Sequence, residues 1–316
     1  MAKVTSQDEA GRRVSVIGLG SMGYGMAQSL AKAGFAVTGF DTRPDVVARF
    51  AAEHGAGAAS LAEAASTADV IVIVVVNADQ THQVLLGEGG LLASAKPEAA
   101  IVSCATMAPE RARAIGDAVT ASGRHYVDAP ISGGATRAAE GALTMLVSGP
   151  PAAIERSRAV LEALSAKLYL LGDAAGIGAS FKIVNQLLAG VHIAAASEAI
   201  VFAKRLGLDI ERVYEVITAS AGNSWMFENR MPHVLEGDYA PRSAVEIFTK
   251  DLGIVADISR SEKFATPIAA SALQMFLMTA AAGMGKDDDA SVARLYALIA
   301  GIDLPGAPAT PTSTKD

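Results

Sequence analysis

A single cysteine, Cys104, rules out a disulfide within the chain. Basic residues nowhere cluster. With a net charge of −7 and a pI near 5.3, neither nucleic acid nor an anionic membrane is expected as a partner. The opening stretch, Met1 to Arg13, is polar and mixed in charge and lacks the apolar core of a signal peptide. The longest unbroken apolar run, Val70 to Val76, is too short to span a bilayer. The expectation is a soluble, cytoplasmic protein. The five histidines (His54, His82, His125, His192 and His233) fall in no metal-binding spacing, so no metal is expected. The chain also lacks a G-x-S-x-G nucleophile elbow, a Walker loop and any internal repeat.

What is present begins at Val14. The run Val-Ser-Val-Ile-Gly-Leu-Gly-Ser-Met-Gly is a short apolar strand followed by glycines at 18, 20 and 23 and then by a helical pattern to Gly34. Gly18 permits a tight strand-to-helix turn, Gly20 lets a pyrophosphate approach the backbone, and Gly23 lets the helix pack on the strand. The helix N-terminus presents unpaired N–H groups to the phosphates. Gly18, Leu19, Gly20, Ser21, Met22 and Gly23 are therefore candidate dinucleotide contacts. A second strand, Phe35 to Phe40, ends in Asp41, 21 residues after Gly20. A carboxylate there accepts from the adenosine ribose hydroxyls and repels a 2′-phosphate, which favours NAD over NADP; Arg43, two residues on, is the group that would favour the phosphate.

About half of the 316 residues are hydrophobic, enough for two cores. Strands and helices alternate in the first half. Strands are expected at Val70–Val76, Ala100–Cys104, His125–Asp128, Leu143–Ser148 and Lys167–Leu170. Helices are expected at Arg43–His54, Ala78–Leu86, Pro109–Gly123 and Pro151–Leu164, with a shorter one capped by Ser60 and Glu63. This alternation predicts an α/β Rossmann fold, a doubly wound and mostly parallel sheet, over residues 12–174. From 175 to 304 the pattern is all-helical. It opens with continuous periodicity from Gly178 to Leu206, about 40 Å if it is one helix. Helices at Asp209–Ala219, Ser243–Ser261 (with Ser243 and Glu246 as a second capping box), Pro267–Ala282 and Asp288–Ala300 follow. The long helix is expected to join the domains and to pack against a second subunit, giving a homodimer or homotetramer. Residues 305–316, rich in Pro, Thr, Ser and Ala, are expected to be disordered.

Three segments outside the glycine loop bear polar groups suited to chemistry. Asp128-Ala-Pro-Ile-Ser-Gly-Gly134 follows a strand and so lies at the sheet's carboxyl edge. Ser132, Gly133 and Gly134 offer a hydroxyl and closely spaced N–H groups suited to a carboxylate, though a structural turn would use the same residues. Near the start of the long helix, Lys182, Asn185 and Gln186 stand at i, i+3 and i+4 in apolar surroundings. They form either a functional face or a snorkelling lysine with two amides. Lys250-Asp251 on a later helix reads by itself as a solvated pair. Cys104 lacks a recognisable base nearby, and Asp287 to Asp289 reads as a helix cap.

Taken in order, Gly-Leu-Gly-Ser-Met-Gly, Asp-Ala-Pro-Ile-Ser-Gly-Gly, Gly-x-Gly-x-x-x-Lys and Lys-Asp-Leu-Gly resemble the β-hydroxyacid dehydrogenase family, the 3-hydroxyisobutyrate dehydrogenase type, from about Val14 to Gly306. The resemblance implies an NAD-dependent dehydrogenase acting on a small hydroxy acid. It implies Lys182 as the catalytic lysine, Ser132, Gly133 and Gly134 as the substrate-carboxylate loop, Thr106 near the nicotinamide, Asn77 beside the cofactor, and Lys250 closing over cofactor and substrate. Gln186-Leu-Leu-Ala-Gly-Val-His-Ile-Ala-Ala, Ala221–Arg230 and Ser243-Ala-Val-Glu-Ile-Phe resemble members that oxidise L-threonate to its 2-oxo acid. Most of the family carries Asn where Gln186 stands, so Asn185 or Gln186 would orient the hydroxyl, with Asn223, Ser224 and Trp225 on the distal hydroxyls. The alternatives are a relative acting on 3-hydroxyisobutyrate or tartronate semialdehyde, or a non-catalytic dinucleotide-sensing or scaffold protein.

Overall fold

Parallel strands buried on both faces organise the first half of the chain. A computed structural model describes residues 12–307; the expectation for the tail falls, from residue 308 on, outside them. Nine strands form one sheet. They are β1 (Arg13–Ile17), β2 (Ala36–Phe40), β3 (Ala56–Gly57), β4 (Val70–Ile73), β5 (Ala100–Ser103), β6 (His125–Asp128), β7 (Ile131–Ser132), β8 (Leu143–Ser148) and β9 (Ser165–Gly172). Their order is β3-β2-β1-β4-β5-β6-β8-β7, with β9 beside β8. All pairings from β3 to β6 are parallel, and β8 runs antiparallel to both β6 and β7. The crossovers between parallel strands are α1 (Gly23–Lys32), α2 (Pro44–Glu53), α3 (Leu61–Ser66), α4 (Ala78–Leu86) and α5 (Pro109–Ala121). They are followed by α6 (Gly134–Ala139) and α7 (Pro151–Leu164).

The apolar strand sequences need two covers. In β4, Val70 and Val72 enter one core with Val14, Met26, Leu30 and Val102. Ile71 and Ile73 enter a second with Ile17, Leu85, Ile101 and Tyr126 on the opposite face. A period of two therefore sends alternate residues of a continuous apolar run to opposite sides. Ser60 accepts from the Glu63 N–H at 3.1 Å, and Glu63 accepts from the Ala59 N–H at 2.7 Å, close to the expected capping box. The glycine-rich stretch expected as a loop after Asp128 holds the two-residue strand β7 and the short α6. Strand Val70–Val76 ends early, at Ile73.

The remaining helices are α8 (Ile177–Arg205), α9 (Ile210–Thr218), α10 (Trp225–Glu236), α11 (Val245–Ser261), α12 (Pro267–Thr279) and α13 (Val292–Ala300). Two compact units are present, 1–183 and 184–316, so the division falls inside α8 just after Lys182. The second unit has its own core, with Ile200, Val201, Phe227, Met231, Val234 and Ala293 among its residues. α10 went unrecognised in the sequence. The expected box at Ser243 does not form: Ala244 caps α11 without a side-chain bond, and the Ser243 hydroxyl turns to Asp289. The expected capping by the acidic run is present, with Asp288 accepting from the Ala290 N–H at 3.1 Å. α8 and the stretch Pro267–Met284 are long and apolar enough to cross a membrane by length and composition, which unbroken runs do not reveal; half of the apolar window in α8 is buried within the protein.

Ile101 lies at the centre of β5 with no exposed surface. Ile101→Ala is expected to destabilise the sheet unit by about 2–5 kcal/mol, seen as a lower denaturant midpoint. An unchanged midpoint would contradict the two-faced core.

Candidate active site

The sheet register lines up the last residues of five strands. Phe40 pairs with Ile17, Ile17 with Ile73, Ile73 with Ser103, and Ser103 with Asp128. The loops that follow therefore start side by side at the carboxyl edge, where ligands bind in doubly wound sheets. Across that edge stand Asp41 after β2, the glycine loop after β1, Asn77 after β4, Thr106 after β5, and Ser132 after β6. Three strand spacings separate β1 from β6, about 14 Å.

The glycine loop fits a dinucleotide. Gly18 adopts φ +94, and a Cβ there would lie 2.4 Å from the Val74 carbonyl oxygen. At Gly23 a Cβ would lie 1.8 Å from the Gly18 carbonyl oxygen, whereas at Gly20 it would meet nothing within 4 Å. The turn is thus closed on its inner side and open at Gly20, where a phosphate would approach. α1 begins without a side-chain cap and without an acid in its first turn, an end suited to an anion. Asp41 accepts from the Leu19 N–H at 2.8 Å and from the Arg43 N–H and Nε at 3.0 Å. Burial pushes this carboxyl up, but the bonds from Arg43 and Leu19 outweigh it and hold the group below the usual range. Arg43 is thereby turned onto Asp41.

At β4 the Asn77 side chain caps α4, accepting from the Gln80 N–H at 2.8 Å. Ser132 lies in β7 opposite Thr144, and Gly133 and Gly134 take φ +140 and +81 on entering α6. Lys182 belongs to this same unit and is buried. Cys104 is buried beyond β5, and burial, with Asp128 nearby, pushes its thiol far above the range of a reactive thiolate. Among the described residues no cluster of metal-binding side chains is present.

In the second unit, Gln186 is buried and its Nε2 donates to Asp251 Oδ2 at 2.5 Å. Its Oε1 accepts from Asn185 Nδ2 at 2.9 Å, with Asn185 itself at the surface. Lys250 Nζ sits 2.6 Å from Asp251 Oδ1. Asp251 is thus a buried junction between two of the expected site residues, at 1% exposure, and not half of the solvated pair read from the sequence. The available signal was its place on the apolar stripe of α11, with Phe248, Leu252 and Val255. Ser224 caps α10 by accepting from the Phe227 N–H at 3.0 Å. Asn223 donates to the Thr218 carbonyl and to Glu228, and Trp225 is half-exposed.

Residues 13–172 match the model for the NAD binding domain of 6-phosphogluconate dehydrogenase. Residues 176–296 match the NAD-binding model of NADP-dependent 3-hydroxyisobutyrate dehydrogenase. An L-threonate dehydrogenase from Cupriavidus necator is 51% identical over 295 residues, 93% of this chain and 98% of that protein. The chain belongs to the 3-hydroxyisobutyrate dehydrogenase-like family of β-hydroxyacid dehydrogenases. It is an enzyme of the NAD-dependent hydroxy-acid type, with a nicotinamide dinucleotide as cofactor. An Escherichia coli L-threonate dehydrogenase is 45% identical over 298 residues, 93% of this chain and 97% of that one. Among solved structures, a 3-hydroxyisobutyrate dehydrogenase from Salmonella typhimurium superposes with TM-score 0.86 at 46% identity, covering 90% of this chain and 99% of that one.

Gly23→Ala forces a methyl against the Gly18 carbonyl and is expected to weaken NADH binding at least about tenfold, measured by fluorescence titration. Unchanged affinity would contradict the role given to this turn.

Proposed function

We propose that the enzyme oxidises L-threonate to its 2-oxo acid with NAD. The observation that carries this reading is the buried Lys182 held in the same unit as the glycine loop and the Ser132 loop. The relatives of Cupriavidus necator and Escherichia coli are named for L-threonate, which supports the substrate. The Salmonella typhimurium structure is titled a 3-hydroxyisobutyrate dehydrogenase, which makes that acid the second reading.

Ser132, Gly133 and Gly134 hold the substrate carboxylate through the hydroxyl and backbone N–H groups. Gly18 to Gly23 hold the pyrophosphate and Asp41 the adenosine ribose, with Asn77, Thr106 and Lys250 lining the remainder of the cofactor. Nicotinamide supplies the hydride acceptor. Lys182 takes the hydroxyl proton on Nζ, directly or through a water, and returns it in reduction. A free lysine titrates near ~10.4, so a lysine base works better as pH rises, and a pyridinium bound beside it would favour its neutral form. Asn185 or Gln186 orients the reacting hydroxyl, and Asn223, Ser224 and Trp225 contact the distal ones. Asp41, which engages Arg43, supports NAD over NADP. Retention of Lys182 together with the Ser132 loop favours catalysis over a sensing or scaffold role.

A second copy of the chain forms part of the proposal. Phe202, Leu206 and Val216 are exposed around a groove of about 770 Å3 between α8 and α9, an apolar surface suited to a homodimer or homotetramer.

Lys182→Met is expected to lower turnover by about 10²–10⁴-fold while leaving NADH binding intact, and wild-type oxidation is expected to accelerate from neutral to alkaline pH. Near wild-type turnover in the variant, or a flat profile, contradicts the lysine's role. In a panel of hydroxy acids with both dinucleotides, L-threonate with NAD is expected to give the highest kcat/KM. Equal rates on three-carbon and four-carbon acids would remove the substrate assignment, and an NADP preference would remove the argument from Asp41.

A further inference from the structure

Lys182 must be held in one rotational setting to serve as a proton carrier, and an α-helix turns about 100° per residue. A helix start that slips by one residue would therefore swing the amine away. The start of α8 is fastened by two buried side chains of the sheet. Asp128 Oδ2 accepts from the N–H of Gly176 at 2.9 Å and from that of Ala179 at 2.9 Å. Ser148 Oγ accepts from the N–H of Gly178 at 2.8 Å, and its hydroxyl leans on Asp128 Oδ2 at 3.4 Å. Asp128 and Ser148 are register partners in β6 and β8, so the two acceptors form a single feature. Both are almost wholly buried.

The helix approaches so closely because glycines allow it. A Cβ on Gly178 would lie 2.3 Å from the Leu146 carbonyl oxygen, and Gly176 takes φ +93 with its Cβ position 2.8 Å from the Pro109 carbonyl oxygen. Lys182 follows Gly178 by four residues and Ala179 by three, so the anchored N–H groups lie one turn below it on its own face. Asp128 also stands four residues before Ser132 on a continuous strand-to-strand path.

We propose that Asp128, with Ser148, is a positioning residue of the reaction: it holds the first turn of α8 so that Lys182 Nζ meets the hydroxyl of a substrate anchored by Ser132. This inference rests on the proton-transfer role proposed for Lys182. Burial pushes Asp128 up to about 6, against the bonds from Ala179, Gly176 and Ser148. A folded-state value above the ordinary carboxyl value of about 3.9 means that its stabilising contribution is complete below the ordinary value and is lost as pH rises through about 6. At neutral pH the ionised group thus stabilises the fold less than its protonated form would. Its titratable neighbours, Cys104 and Tyr126, are themselves pushed up by burial and stay neutral.

The test uses the full chain, with Asp128→Ala, Asp128→Asn, Ser148→Ala and Lys182→Met compared on the best hydroxy acid of the panel. Asp128→Ala is expected to speed amide hydrogen exchange in residues 176–183 and to lower kcat by about 10²-fold, the scale of an ångström-level misplacement. KM and NADH affinity should stay within about threefold in the same variant. Asp128→Asn keeps an oxygen acceptor and should retain exchange protection and kcat within about tenfold of wild type. If Asp128→Ala fails to fold, Ser148→Ala decides, with faster exchange in the same segment and a kcat loss at unchanged KM. Unchanged exchange, or a kcat loss no larger than the loss of NADH affinity, would overturn the proposal. Undiminished turnover in Lys182→Met would overturn the lysine's role itself, and is distinguishable because the exchange result in Asp128→Ala does not depend on turnover.

Discussion

Five parallel strands that end in one row constrain everything else in the first unit. Phe40, Ile17, Ile73, Ser103 and Asp128 stand opposite one another, so each following loop starts at the same edge. Sheet order then becomes the order of the candidate residues: Asp41, the glycine turn, the two middle loops with Asn77 and Thr106, and the Ser132 loop. The row exists because alternate side chains of the strands enter two separate cores, and a slip of one residue would exchange them.

Buried carboxylates tie together segments far apart in the chain, and their partners differ. Asp128 is met by backbone N–H groups at a helix start, where the helix dipole favours negative charge. Asp251 is met by an amide and an ammonium, Gln186 and Lys250. Asp289 is paired with Arg230 at 2.5 Å, and Asp288 with His233 at 2.8 Å. Asp288 and Asp289 are buried where α10 meets the chain just before α13. Removing Arg230 would leave Asp289 away from water without its ionic partner.

Features set by local spacing were legible in the sequence. The glycine turn, Asp41, strands His125–Asp128 and Leu143–Ser148 and helix Pro151–Leu164 appear where periodicity put them. Features set by distant contacts were not. The bond from Gln186 to Asp251 spans 65 residues. The box expected at Ser243 is displaced because the Glu246 N–H is taken by the Gly285 carbonyl and the Ser243 hydroxyl by Asp289. α10 escaped notice because Pro232 lies inside it and its apolar residues keep no clean period. Asp128 was visible as the last residue of a strand, but its bonds to residues 48 and 51 positions away were not. The candidate residues were legible as a set of motifs, and the distant side chains that bond to them were not.

A crystal structure of the ternary complex, with dinucleotide and L-threonate bound, tests the account most directly. It should place the pyrophosphate against Gly20 and the start of α1, the substrate carboxylate on Ser132 to Gly134, and Lys182 Nζ within hydrogen-bond reach of the hydroxyl to be oxidised, about 2.6–3.2 Å or one water away. A lysine turned from that hydroxyl with neither a direct contact nor a bridging water, or a carboxylate bound elsewhere, would contradict it.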